Sequence, residues 1–192
     1  VSRDGQAVRF TATDEQLRSM GRSTSGVRGM KFRGDDELLS MEVPHEGTDL
    51  LIVTDSGYAK RTPVEEYPTK SRGTLGVRVG KLVDERGGLV GALVVRPDED
   101  VMVITSSGKL VQVNASDVRP TARNTMGVIF ARPDEGDRII AITRNPESGD
   151  DEESETPEAD SSSGEDTPSG EDTPSGEDSP TEGGAGVKTT EK

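Results

Sequence analysis

Apolar residues along the first three-quarters of the chain come in short runs, bounded by turns that contain Gly, Asp or Pro. Positions 50–54 (Leu-Leu-Ile-Val-Thr) form one run, Asp55-Ser56-Gly57 follows as a turn, and 58–61 resumes. Runs at 76–79 and 89–95 complete a set of four, and the set recurs at 101–105, 109–113, 127–131 and 138–143. Valine-rich segments this short suit strands rather than helices. The glycine in each turn supplies the positive φ that a tight hairpin requires.

The runs belong to a repeat. Ser2-Arg3-Asp4-Gly5, Thr54-Asp55-Ser56-Gly57 and Thr105-Ser106-Ser107-Gly108 align. So do Arg22-Ser23-Thr24-Ser25-Gly26-Val27, Arg72-Gly73-Thr74-Leu75-Gly76-Val77 and Arg123-Asn124-Thr125-Met126-Gly127-Val128. Both markers share a period of 50–52 residues, and each copy closes on an apolar run, at 38–43, 89–95 and 138–143. Four strands per period predict a propeller-like blade, with blades at about 1–48, 49–99 and 100–145. Val1 aligns with Val53, so the counterpart of 50–52 would lie upstream, and three blades do not close a ring. The expectation is the C-terminal part of a longer protein.

The pattern ends near residue 145, and composition changes with it. Residues 146–192 hold 16 of the 37 acidic residues, 2 of the 23 basic ones and only Ala159, Ala185 and Val187 as apolar residues. That leaves 21 acidic and 21 basic residues in 1–145, so the whole net charge of −14 resides in the tail. Ser-Gly-Glu-Asp recurs at 163–166, 169–172 and 175–178. With almost nothing to bury, this segment is expected to be a disordered acidic tail. It reads either as a solubilising extension or as a tethered polyanion that competes for a basic surface of its own molecule.

Several chemistries drop out. The chain has no Cys and a single histidine, His45, which beside Pro44 reads as a loop residue between blades. No run approaches the length of a membrane helix. Gly76 to Lys81 ends in Gly-Lys but lacks the earlier glycine and the following Ser or Thr of a phosphate-binding loop. Arg96-Pro97-Asp98-Glu99 and Arg132-Pro133-Asp134-Glu135 are out of register with the repeat and read as turns. Gly26, Gly76 and Gly127 read as strand-entry or bulge positions rather than phosphate cradles. No carboxylate pair stands out as an acid–base dyad.

The charges of the body are distributed unevenly. Windows 16–33, 67–83 and 118–133 share one phase of the repeat and contain no acidic residue. They hold 12 of its 21 basic residues: Arg18, Arg22, Arg28, Lys31 and Arg33; Lys70, Arg72, Arg78 and Lys81; Arg119, Arg123 and Arg132. Equal phase places residues on the same part of successive blades, so a basic stripe along one rim is expected, suited to a phosphate backbone. The plain alternative is ordinary exposed loops with acids in the turns.

The segments Thr54-Asp55-Ser56-Gly57-Tyr58-Ala59-Lys60-Arg61-Thr62, Glu65-Glu66-Tyr67-Pro68 and Arg72-Gly73-Thr74-Leu75-Gly76-Val77 resemble the C-terminal domain of the DNA gyrase A subunit. So does the ending Gly136-Asp137-Arg138-Ile139-Ile140-Ala141-Ile142 before an acidic tail. The resemblance spans about residues 1–145. It implies an all-β fold, a β-pinwheel whose four-stranded blades wrap double-stranded DNA on their rim. The family's hallmark box, a Gln and basic residues before a Gly-Gly-basic-Gly run, is absent; Lys70 to Gly76 is the nearest segment. The resemblance places the box and the catalytic tyrosine upstream, so this chain is not expected to catalyse by itself. Expected phosphate contacts are Arg22, Arg28, Lys31, Lys60, Arg61, Lys70, Arg72, Arg78, Lys81, Arg119 and Arg123. The implied parent is an ATP-dependent type II topoisomerase that introduces negative supercoils and is cytoplasmic and nucleoid-associated. Its partner would be the gyrase B subunit. ATP and Mg would be bound elsewhere in that complex, and neither cofactor nor metal is expected in this chain. Two alternatives stand beside it: the related C-terminal domain of topoisomerase IV, and a propeller that binds an acidic protein.

Overall fold

The structure, a computed structural model, describes residues 1–145; the expected disordered tail, 146–192, lies outside the described residues. All regular structure within them is strand apart from three single 3-10 turns, Val64–Glu66, Asp84–Arg86 and Ala115–Asp117. None of their helices is long and apolar enough to cross a membrane.

The middle repeat sets the plan. β2 (Asp49–Thr54) and β3 (Tyr58–Pro63) form an antiparallel hairpin in which Leu50 faces Thr62 and Val53 faces Ala59. Gly57 closes it at φ 85°, donating its N–H to the Thr54 carbonyl at 3.0 Å. β5 (Leu89–Val95) pairs with the other edge of β2. In the third repeat, β6 (Asp100–Thr105) lies between β7 (Leu110–Asn114) and β9 (Ile139–Arg144). The first repeat contributes β1 (Gln6–Ala7) and an isolated bridge between Ser2 and Leu38.

The third strand of the second and third repeats does not join its own sheet. β4 (Val77–Arg78) of the second repeat pairs with β1 of the first. β8 (Val128–Ile129) of the third pairs with β3 of the second, so the middle sheet runs β5-β2-β3-β8. Four consecutive strands therefore do not make one blade, as the repeat alone suggested. Glycine makes the exchange possible. A Cβ on Gly76 would collide with the Ala7 carbonyl, and one on Gly127 with the Ala59 carbonyl, so only a bare backbone lies this close to the preceding repeat.

The strand expected at 38–43 is also not formed. Leu39 and Ser40 donate their N–H groups to one acceptor, the Val1 carbonyl, and Met41 and Val43 are exposed. With Arg3 N–H bonded to the Glu37 carbonyl and the Ser2–Leu38 bridge, these are isolated contacts rather than a ladder.

The core sits between successive sheets. β2 is buried at all six residues, and its period-2 alternation divides them between two cores. Leu51 and Val53 pack with Val95, Val101, Val103 and Ile139 towards the third repeat. Leu50 and Ile52 pack with Ala7, Val79, Leu89 and Ala92 towards the first. A repeat thus buries its faces against its neighbours, as stacked architectures must.

Candidate nucleic-acid interface

The exchange fixes where each cation lies. Arg22, Arg28, Lys31, Lys70, Arg78, Lys81 and Arg119 are exposed, and Arg72 and Arg123 are half-buried. Among the described residues, no carboxylate forms an ion pair with any of these nine. The seven exposed ones are available to an external anion, whereas Arg72 and Arg123 are engaged with backbone carbonyls.

Lys60 and Arg61 leave the set of expected phosphate contacts. They are 3% and 4% exposed, on the central strand β3, with neighbouring backbone on both sides. Lys60 donates through Nζ to the Thr62 hydroxyl, and its stem packs over Gly80. Burial lowers its pKa to about 8; Glu66 opposes the shift and Arg123 adds to it. Arg61 places Nε 3.3 Å from Asp49 Oδ2 and donates from Nη1 to the Pro97 carbonyl at 3.2 Å. Burial raises the Asp49 pKa, and the Arg61 charge holds it back. Tyr67 closes this interior, its hydroxyl donating to the Val79 carbonyl at 3.3 Å, with burial pushing its pKa up to about 12.

A signal for this burial lay in the repeat. Counting from the turn glycines, Lys60 aligns with two valines, Val8, which is half-buried, and Val111, which is exposed on β7, so the apolar type at this position was a hint only in residue identity. Arg61 aligns with Arg9, another inward-facing cation, whose Nη1 donates to the Val64 and Tyr67 carbonyls at 3.0 and 3.2 Å.

The same register marks a column of surface cations. Lys31, Lys81 and Arg132 share one repeat position, and all three are exposed. The next repeat's backbone anchors two of them: Lys31 N–H donates to the Thr74 carbonyl at 2.9 Å, and Lys81 N–H to the Thr125 carbonyl at 3.1 Å. Arg132, noted in the basic windows but not among the expected contacts, belongs with them. Three residues earlier, Arg28 corresponds to Arg78 at the end of β4 and to Ile129 at the end of β8. One repeat position therefore carries an exposed cation in all three repeats, and a second position does so in two of three.

Repeated antiparallel sheets that exchange a strand with the preceding repeat, the middle one four-stranded, define a propeller of the pinwheel type. The family described as "DNA gyrase C-terminal domain, beta-propeller" matches residues 1–45, 48–96 and 99–146, and the chain belongs to it. It is 49% identical over 149 residues to the DNA gyrase A subunit of Streptomyces coelicolor, covering 78% of this chain and 17% of that protein. It is 52% identical over 152 residues to the DNA gyrase A subunit of Mycobacterium tuberculosis strain H37Rv, covering 79% and 18%. The chain thus spans under a fifth of the length of these relatives. A solved DNA gyrase A C-terminal domain superposes with a TM-score of 0.67 at 26% identity, over 75% of this chain and 48% of that one. A topoisomerase IV C-terminal domain superposes with a TM-score of 0.68 at 19% identity over 75% and 45%, a likeness of fold alone.

Proposed function

We propose that this chain is the DNA-wrapping region of a DNA gyrase A subunit, part of a type II topoisomerase. The observation that carries the reading is the exposed column Lys31, Lys81 and Arg132, unpaired with carboxylates among the described residues and repeated once per blade. Cations spaced by a structural repeat suit a polymer whose own charges are regular, and duplex DNA carries one charge per roughly 1.7 Å of axis. Arg28, Arg78, Arg22, Lys70 and Arg119 widen this band. Contacts of this kind go to phosphates, so the surface bends DNA with little base preference. In the parent enzyme the wrapped segment would set the sign of the crossing through which a second duplex passes. Strand cleavage, ATP and Mg would belong to other parts of the gyrase A–gyrase B assembly, acting on DNA in the cytoplasm.

The curated relatives favour a gyrase over a topoisomerase IV parent, since they are gyrase A proteins at 42–52% identity. The competing class, a propeller that binds an acidic protein, is separated by two measurements on the chain. Binding to unrelated duplexes should weaken log-linearly with salt, with a slope of about −0.9 per phosphate neutralised. Ligation of nicked circular DNA in its presence should trap a linking-number change. A chain that binds duplex DNA but leaves linking number unchanged would refute wrapping, and one that binds none would refute the DNA reading.

A further inference from the structure

Arg72 and Arg123 occupy the same repeat position, and both side chains turn back onto the preceding repeat. Arg72 donates from Nε to the Gln16 carbonyl at 2.6 Å and from Nη1 to the Arg28 carbonyl at 3.3 Å. Arg123 donates from Nη1 to the Arg78 carbonyl at 3.1 Å. Arg28 and Arg78 are themselves equivalent positions, so one contact is made twice, from repeat two to one and from repeat three to two. Three residues further along each accepting loop stands Lys31 or Lys81, whose N–H is held by the donor repeat's Thr74 or Thr125 carbonyl. Each loop that carries two rim cations is therefore gripped at both ends by the following blade. The guanidinium takes the end at Arg28 or Arg78, and a backbone bond takes the end at the lysine.

We infer that Arg72 and Arg123 are positioning residues: their guanidinium groups hold the Arg28–Lys31 and Arg78–Lys81 loops at a fixed blade-to-blade spacing, so that the cations of successive repeats meet one continuous phosphate backbone. This rests on the DNA-wrapping reading and deepens it. Carbonyl partners engage these two half-buried arginines within the protein, while the charges they place face solvent. The planar fork of arginine is needed for this, because Arg72 serves two carbonyls from two different nitrogens. Lysine offers the same charge from a single ammonium and cannot reproduce the fork. Arg22 provides an internal control: it shares the repeat position, yet in this chain it is exposed.

The experiment compares the 192-residue chain with Arg72→Lys/Arg123→Lys, with Arg123→Lys alone, and with Arg22→Ala. Hydrogen exchange of the Lys31 and Lys81 amides reads the grip without DNA. Nick-ligation reads wrapping, and a salt titration on a duplex too short to span two blades reads charge. In the double variant, amide exchange should accelerate roughly 5- to 30-fold, the factor carried by the loss of one or two hydrogen bonds. The linking-number change should collapse while the short-duplex salt slope stays at the wild-type value. Arg123→Lys should loosen Lys81 and spare Lys31. Arg22→Ala should alter neither amide. Wild-type exchange and wrapping in the double variant would overturn the inference. A charge-removing pair, Arg72→Gln/Arg123→Gln, should also leave the short-duplex slope at the wild-type value; a slope flattened there would overturn the inference, since it marks direct phosphate contact by these two arginines. If the unsubstituted chain binds no DNA, the wrapping reading itself fails, and accelerated exchange in the double variant would still show the grip.

Discussion

Two sets of cations in this domain have the same chemistry and opposite surroundings. Lys60, Arg61 and Arg9 lie on or beside β-strands, with their polar ends turned to carbonyls, a hydroxyl or Asp49 inside the protein. Lys31, Lys81 and Arg132 lie on loops, the latter two after the exchanged strands β4 and β8, with their charges in water. Moving a charge off the rim alters what the domain can attract; removing Arg61 from the interior leaves a carboxylate stranded. A basic residue in this fold is thus read by its place in the repeat, not by its type. In the middle repeat the strand positions three and four past the turn glycine, Lys60 and Arg61, are buried, whereas the fifth position past the second glycine is exposed in all three repeats.

The sharpest way to break the comparison is Arg61→Ala. Both members of its pair with Asp49 are under a tenth exposed. Removing one partner of a buried pair typically costs about 3–5 kcal/mol. Chemical denaturation should show a loss of that size, with DNA affinity reduced only in proportion to unfolding. A stable Arg61→Ala protein with weakened DNA binding would return Arg61 to the interface.

The rim should respond in the reverse way. Replacing Lys31, Lys81 and Arg132 together by Ala should flatten the salt dependence of DNA binding by about 0.9 for each phosphate no longer neutralised. Thermal stability should shift by less than about 0.5 kcal/mol, as for exposed positions generally. A triple that includes Arg72, such as Lys70, Arg72 and Arg78, should instead lose stability as well, because Arg72 bonds to loop carbonyls. Equal stability in both triples would remove the distinction.

Lys60 gives a smaller effect with a definite sign. Its folded pKa is about 8 against an ordinary value of 10.5, so between these the unfolded chain binds more protons than the folded one. Stability contributed by this group therefore rises with pH across that interval. The unfolding midpoint of the wild-type chain, relative to Lys60→Met, should climb from about pH 8 to 10.5 and level off below that range. A parallel pH dependence in the two proteins would mean that Lys60 is solvated.

The smallest effect concerns the acidic residues after Asn145. The net charge of −14 resides in that segment, and it competes with phosphate for the same rim cations only if it reaches them. Truncation after Asn145 should raise DNA affinity at low salt, with the gain fading as screening shortens the Debye length to about 8 Å at physiological ionic strength. Equal affinity with and without the segment would assign it a solubilising role.

Much of this protein was written in its repeats. The 50–52-residue period, the hairpin turns at Gly5, Gly57 and Gly108 and the all-β character follow from residue spacing alone, because strand alternation and turn glycines are local properties. The acid-free windows are equally local, and they contain most of the basic residues that the structure leaves exposed. What spacing could not disclose was which sheet a strand joins. β4 and β8 are two-residue strands whose partners lie about seventy residues earlier, and their exchange depends on the close approach of Gly76 to Ala7 and Gly127 to Ala59. Lys60 and Arg61 went astray for the same reason. Their charges argued for the surface, and only the neighbouring blades packed on β3, with Asp49, Thr62 and Pro97 supplying partners, made burial favourable. Period and turn chemistry depend on neighbours in sequence; burial of a charge depends on neighbours in space, and these the tertiary structure alone decides.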